Sequence, residues 1–323
     1  MKINLINSSR QLSHIADGSL INRFYIRNKG KRRKVNNPIP ELKDILKVWN
    51  QTFTAYYTDL LQQNNLTQIA HAYLPNKSIV TNAKQHKNSS IIQFDFSGFY
   101  DSCKFDYVYE DLKQLDDNLD DTNKHMVSRL LIDPETNGLT QGAPTSGALA
   151  GIAMIPFWLE LQARLPSSIK FTQYSDDLTF SHIGKTPKEF TIPYLSQLIY
   201  ESLHCVGLDF DINMKKTRMQ TDQYRKVTGI RINHHNQLTP SRKDYRFLRH
   251  ALFILSKSDS LEDELQAWGF SSKASFVGKI SYMRSIDETG KVMNIIMKYR
   301  HTCRKHDIFT TWIDNQYKQS VFA

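Results

Sequence analysis

The sequence predicts an α+β fold: a split βαββαβ core followed by a purely helical C-terminal segment. Three observations lead there. Residues 91–96 alternate as a strand, with Ile92, Phe94 and Phe96 facing one way and Gln93 and Asp95 the other. Residues 169–172 and 178–181 form two further strands joined across Tyr174-Ser175-Asp176-Asp177, and apolar helical stretches separate the strands in strand-helix-strand-strand-helix order. From Ser241 onward the pattern is helical.

In chain order, Phe24-Tyr25-Ile26 and Val35 flank a polar stretch whose Asn28-Lys29-Gly30 supplies turn chemistry, which predicts a basic β-hairpin. Leu42, Ile45, Leu46, Trp49, Phe53, Tyr56 and Leu60 recur at helical spacing, predicting a helix over residues 41–62. After the first core strand, helices are expected at 105–115 and 121–132, then a Pro134 to Gly138 turn, Gln141-Gly142-Ala143-Pro144-Thr145-Ser146 and a long apolar helix from Ser146. A helix over 187–205 stops at Gly207, and residues 225–233 read as one strand turning through His234-His235-Asn236. No internal repeat or low-complexity linker interrupts the 323 residues, and 40% hydrophobic content supports a packed core.

The chain carries a formal charge of +10, unevenly spread. Residues 1–50 hold 11 Lys/Arg against 3 Asp/Glu and residues 241–323 hold 14 against 9, which leaves the middle at −3. Basic flanks around a carboxylate-bearing centre suit a nucleic-acid partner and bound cations better than a uniformly basic protein would. Cys103, Cys205 and Cys303 are widely spaced without a CxxC, so neither a disulfide framework nor a zinc site is indicated, and a reducing cytoplasm fits. The most apolar run, residues 147–159, is short for a bilayer and contains Pro156, so no membrane association is expected.

Three Asp-Asp pairs occur, Asp116-Asp117, Asp120-Asp121 and Asp176-Asp177. The first two lie in a polar, Asn-rich stretch that water can solvate. The third sits between apolar strands, where paired carboxylates are costly unless a cation balances them. Asp95 adds a third carboxylate to the same predicted sheet, giving a hard oxygen set suited to Mg²⁺ or Mn²⁺. Two such ions about 4 Å apart can drive in-line nucleotidyl transfer. Asp95 and Asp176 are expected as direct ligands, with Asp177 more peripheral.

These residues resemble the reverse transcriptases, and specifically the bacterial retron enzymes, along nearly the whole chain. Phe94-Asp95-Phe96-Ser97-Gly98-Phe99-Tyr100 is similar to the first palm motif, Leu139 to Ser146 to the second, Tyr174-Ser175-Asp176-Asp177 to the catalytic box, and Asn213 with Lys215-Lys216-Thr217 to the fourth. Asn82-Ala83-Lys84-Gln85-His86 and Val227-Thr228-Gly229 resemble the NAxxH and VTG elements of retron enzymes. Three positions depart from the pattern: Ser175 where Ala is usual, and Gly147 and Asp101 where Pro is usual.

The resemblance implies a right-hand polymerase, with fingers and the N-terminal region in residues 1–90, a palm with part of the fingers in 91–240, and a helical thumb in 241–323. It implies catalysis by Asp95, Asp176 and Asp177, two Mg²⁺ ions (Mn²⁺ as substitute) on Asp95, Phe96, Asp176 and Asp177, and nucleotide binding by Arg33, Tyr100, Gln141, Gly142 and Lys216. Taken singly, Arg33 also fits a solvated basic face, Tyr100 a core aromatic, Gly142 a loop glycine and Lys216 an exposed lysine. Contacts to a cognate RNA are implied for Asn82, His86, Val227, Thr228, Gly229, Arg242, Arg246 and Arg249. Asn82 and His86, four apart on one helix face, fit bracing of the local fold equally well. Val227 to Gly229 also reads as a strand with a glycine kink, and the arginines, opposite Leu248, Leu252 and Phe253, as the solvated side of an amphipathic helix.

The implied partners are a structured noncoding RNA as template and scaffold, its DNA product, deoxynucleoside triphosphates and an accessory effector protein. Initiation from an RNA 2′-OH, a branched RNA-DNA product and a role in phage defence are implied as well. The competing readings are an abortive-infection or intron-derived reverse transcriptase, and an RNA-binding scaffold without catalysis.

Overall fold

The computed structural model describes residues 2–16, 19–28, 31–87, 90–221 and 225–310, at residues 28 and 31–33 for the main chain only. It divides into two compact units, Met1–Gln220 and Thr221–Ala323, so the division falls ahead of residue 241.

The first unit opens with α1 (Leu5–Arg10), capped by the Asn4 side chain, and a hairpin of β1 (Ile21–Asn28) and β2 (Lys31–Pro38) with Phe24 opposite Val35. The hairpin is longer than its apolar residues predict because polar side chains hold its base: Arg23 and Asn36 donate to Asp133 at 2.9 Å and Lys34 at 3.2 Å. Asp133 is buried; burial pushes its carboxyl up, but the Glu135 N–H, Arg23 and Lys34 outweigh this and hold it below the usual carboxylate range. Asp133→Asn is expected to cost about 2–3 kcal/mol. Urea unfolding should show this, while Asp117→Asn, which breaks only the exposed pair with Lys2, should leave the midpoint in place. An unchanged midpoint for Asp133→Asn would show that these ion pairs do not hold the hairpin.

Helix α2 (Pro40–Gln63) buries Leu42, Leu46, Trp49, Phe53, Tyr57 and Leu61, while Ile45, Tyr56 and Leu60 of the predicted stripe flank the core half-buried. The short α3 (Ile79–Lys84) begins at a Ser78/Thr81 capping box and leads to β3 (Ile91–Ser97), the central strand. Next come α4 (Phe99–Ser102), α5 (Asp106–Leu115) and α6 (Lys124–Leu131). The last starts later than the pattern predicts, because the Asp120 carboxylate accepts the N–H groups of Thr122 and Asn123 and closes a turn there. Strands β4 (Ile132–Asp133) and β5 (Gly138–Leu139) pair around the expected turn, and α7 (Ser146–Arg164), buried nearly all round, packs against α2.

Strands β6 (Ile169–Tyr174) and β7 (Asp177–His182) form the second hairpin, followed by α8 (Ile192–Cys205), which starts at its Thr191 cap rather than near 187, then β8 (Asp211–Ile212) and β9 (Arg218–Gln220). The sheet runs β6-β7-β3-β8 with β9 also on β3, every pairing antiparallel, which is the order of a split βαββαβ layer. On one edge of β3, β8 covers Phe96 and Ser97 and β9 covers Ile91 to Gln93. The segment between β8 and β9 therefore arches past Phe94 and Asp95.

The second unit contains a three-stranded antiparallel sheet, β10 (Arg225–Val227), β11 (Ile230–Ile232) and β12 (Leu238–Thr239). The single strand expected over 225–233 is thus two. Thr228 and Gly229, both at positive φ, form the two-residue loop of a hairpin in which Val227 faces Ile230. Helices α9 (Arg242–Leu255), α10 (Leu261–Ala267), α11 (Lys273–Ser285), α12 (Lys291–Lys298) and α13 (Arg300–Lys305) follow, around a core that includes Leu252, Phe276, Ile280 and Ile296. Phe253, expected on the apolar face of α9, is 49% exposed; Leu248, Ala251, Leu252 and Leu255 make that face instead. Among the described residues no helix is long and apolar enough to cross a membrane.

Candidate active site

Asp95 on β3 lies directly opposite Asp177 on β7. Tyr174 pairs with Asp177, so Ser175 and Asp176 are the two-residue loop of a hairpin, and Ser175 takes φ +56° as the first central residue of such a turn does when it matches strand twist. The turn is pinned to the central strand, because the Phe96 N–H donates to the Asp176 carbonyl at 2.9 Å. Without the turn, adjacent aspartates would point to opposite faces of the sheet.

The arch between β8 and β9 supplies the cation. Asn213 N–H donates to the Asp95 carbonyl at 2.7 Å, and the turn that follows carries Lys216 Nζ to both Asp95 carboxylate oxygens, at 2.7 and 2.8 Å. Hydrogen bonding to Asp95 raises the Lys216 pKa, which keeps the ammonium charged. Burial, then the neighbouring carboxylates, push Asp176 up, and Asp177 up to about 6. Lys216 at Asp176, and Arg218 with Lys216 at Asp177, offset this only in part.

One open cavity is lined by Asp95, Asp176, Gln141, Tyr73, Tyr100 and Lys216, among others; Asp177 is not in that lining. Phe96 also borders it with its ring buried against Phe99, Phe157 and Phe210; the residue has no side-chain oxygen, so its main-chain carbonyl is the one oxygen it could offer a cation. Among the described residues, no three His, Cys, Asp or Glu side chains stand close enough as placed to hold one metal ion.

Gln141 and Gly142 are exposed at the start of the α7 segment. Gly142 has φ +102°, and a Cβ there would meet the Asn36 carbonyl at 2.6 Å, so the glycine lets this loop approach the β2 main chain. Tyr100 is half-buried, and its hydroxyl is engaged rather than free. The Arg33 side chain lies outside the described residues.

For Asn82 and His86 the structure corrects the expected RNA contact. Both are fully buried, and α3 ends at Lys84, so His86 sits in the following turn rather than on a shared helix face. Thr172 Oγ1 donates to Asn82 Oδ1 at 2.5 Å, which spends its one proton; it therefore accepts from His86 Nε2–H at 2.7 Å, and Nδ1 accepts from Ser181 at 2.7 Å. The element braces β6 and β7 from behind.

In the second unit, Val227 is fully buried and cannot touch RNA, whereas Gly229 is exposed and Thr228 half-buried at the hairpin tip. Arg242, Arg246 and Arg249 are exposed on α9. Two residues that sequence reasoning missed belong to the architecture just described: Asp133, which holds the hairpin, and Tyr73, which reaches the cavity. Gly147, noted only as a departure from the family pattern, was the available signal for Tyr73.

An antiparallel βαββαβ sheet with an acidic hairpin turned against its central strand is the palm of a right-hand polymerase, the expected fold class. The chain belongs to the reverse transcriptase (RNA-dependent DNA polymerase) family, whose model matches residues 26–248. It is similar to the retron Ec83 reverse transcriptase of Escherichia coli, 27% identical over 204 residues, covering 60% of this chain and 64% of that protein. It is likewise similar to the retron Mx65 reverse transcriptase of Myxococcus xanthus, 27% identical over 216 residues, covering 60% of this chain and 47% of that protein. The chain thus spans less than two thirds of either relative's length. Among solved structures, telomerase from Candida albicans in complex with a TWJ fragment of telomeric RNA matches 90% of this chain and 63% of its own, with TM-score 0.52 and 11% identity, a likeness of fold alone.

Proposed function

We propose that this protein is a retron-type reverse transcriptase that extends a primer with deoxynucleotides on an RNA template. The observation that carries this reading is the meeting of Asp95, Asp176 and Lys216 in one cavity with Gln141 and Tyr100, on a reverse transcriptase fold. The donor set suits hard divalent cations, being all oxygen and already crowded with negative charge. Asp95 and Asp176, with the Phe96 carbonyl, are the residues that would hold them, and Asp177 behind would add charge. Bound there, the ions would activate the primer hydroxyl and stabilise the departing pyrophosphate.

The chain's own groups account for the rest. Lys216, whose Nζ donates to both Asp95 oxygens, would be freed when the ions take those oxygens and could then give a proton to the leaving pyrophosphate. Gln141 borders the nucleotide's place, and the Tyr100 ring crowds a ribose 2′-OH. The resemblance to retron enzymes supports a structured noncoding RNA as template, priming from its 2′-OH, a branched RNA-DNA product and a part in phage defence with an effector protein. Sequencing the nucleic acid that co-purifies with the protein tests this. A covalently branched RNA-DNA species is expected. Templated DNA without a branch would move the protein to another class of bacterial reverse transcriptase, and RNA without any DNA would leave a binding scaffold.

The exposed Arg242, Arg246 and Arg249 are proposed to follow a nucleic-acid backbone. Replacing all three with Gln should lower duplex affinity uniformly across sequences and reduce the slope of log K against log[salt] by about 2–3. An unchanged slope would assign them to a merely solvated face.

A further inference from the structure

Tyr73 reaches the cavity from a segment far away in sequence. The segment is stitched to β6: Gln173 N–H donates to the Ile69 carbonyl at 2.8 Å and His71 N–H to the Gln173 carbonyl at 3.0 Å, which sets Tyr73 beside the catalytic turn. There the Tyr100 hydroxyl donates to the Tyr73 hydroxyl at 2.5 Å, and Ser175 Oγ lies 3.3 Å from Tyr73 and 3.4 Å from Tyr100. The three hydroxyls close a triangle at the edge of the cavity that Asp95 and Asp176 line.

Two of the three stand at positive φ. Ser175, at φ +56°, does so as part of the hairpin turn, whereas Tyr73, at φ +59°, is in a left-handed conformation that a bulky residue adopts only where its surroundings over-determine it. Gly147 makes the room: a Cβ there would lie 2.4 Å from Cγ of the Tyr73 ring, so a side chain at 147 would displace the ring. Gly147 and Ser175 are two of the three positions that depart from the family pattern, and both touch Tyr73. The departures are thus parts of one local arrangement rather than unrelated substitutions.

Resting on the polymerase reading above, we infer that Tyr73 is a specificity-determining positioning residue for nucleotide addition. With Ser175 it occupies the Tyr100 hydroxyl and fixes the tilt of that ring. A free phenol at Tyr100 could donate its proton to the 2′-OH of a ribonucleotide; a phenol whose proton already goes to Tyr73 has none to give, and its ring then mainly crowds that hydroxyl. The triangle therefore turns a residue able to bind ribose into one that rejects it.

The test is single-nucleotide addition on a primed RNA template, with kcat and KM measured for a dNTP and for the matching rNTP. Tyr73→Phe keeps the ring and removes the hydroxyl; it should lower discrimination against the rNTP about tenfold, chiefly through the rNTP KM. Ser175→Ala should act in the same direction, and the double variant should fall short of the product of the singles, because the hydroxyls act as a unit. Gly147→Ala, which displaces the ring, should also relax discrimination. If Tyr73→Phe folds poorly, Ser175→Ala and Gly147→Ala carry the same expectation. Discrimination within twofold of the unaltered protein in these variants, with Tyr100→Ala relaxed, overturns the inference and leaves the polymerase reading standing. No templated addition by the unaltered protein overturns the polymerase reading and the inference together.

Discussion

Asp176→Asn should reduce RNA-templated DNA synthesis by about 10³-fold or more while leaving the folded protein as stable as before, or more so. The two halves of this expectation have one cause. Burial, then the charge on Asp95, pushes the Asp176 carboxyl up, so the ionised group stands in the folded protein against an opposing free energy. A neutral amide of the same shape relieves that repulsion and at the same time removes one of the carboxylate oxygens proposed to hold a divalent cation. Primer extension and thermal unfolding measured on one preparation check both. Synthesis retained at the original rate would reject the enzyme assignment, and a large loss of stability would mark Asp176 as structural.

The second large effect concerns stability alone. His86→Ala should cost about 3–4 kcal/mol, because it leaves the buried hydroxyls of Ser181 and Thr172 without their ring partner and opens a cavity behind β6 and β7. Burial, then the positive charge of Lys170, holds the His86 pKa well below 6.5, and burial lowers His71 to about 4. A histidine depressed on folding takes up its proton in the unfolded chain first. Its contribution is thus complete above pH about 6.5 and is lost as the pH falls toward the folded value. Asp177, raised to about 6, works in the opposite direction over part of that range. The informative quantity is therefore the difference between the unaltered protein and His86→Gln, which lacks the titrating ring. That difference should be larger at pH 7.5 than at pH 5. A pH-independent difference would show that the ring is not held neutral.

Much of the site was legible because the relevant signals are local. Alternation over 91–96 placed Asp95 on a strand, and the spacing of two short strands placed Asp176 in a turn; both follow from the period of two in side-chain direction. The register that sets Asp95 opposite Asp177 depends on which strands neighbour each other, which no local pattern encodes. The 225–233 segment reads as one strand for a related reason: Thr228 at positive φ is an uncommon choice for a hairpin loop, and Val227, Ile230 and Ile232 give no local sign that the chain reverses between them.

Local sequence determined the three aspartates, the helical stripe of α2, the basic hairpin and the ordered motifs that place the chain in its family. Tertiary structure alone decided what the long-range partners do. Asn82 and His86 have a spacing that serves an exposed or a buried face equally, and packing on Thr172 and Ser181 assigned them to the interior. Arg23, Lys34 and Asn36 show no common partner in the local sequence; Asp133, distant in sequence, gathers them. Tyr73 and Ser175 are 102 residues apart and meet because a main-chain pairing with β6 carries one beside the other. Short-range periodicity follows from backbone geometry, whereas such meetings depend on the whole chain's packing, and in this protein they set the surroundings of the carboxylates.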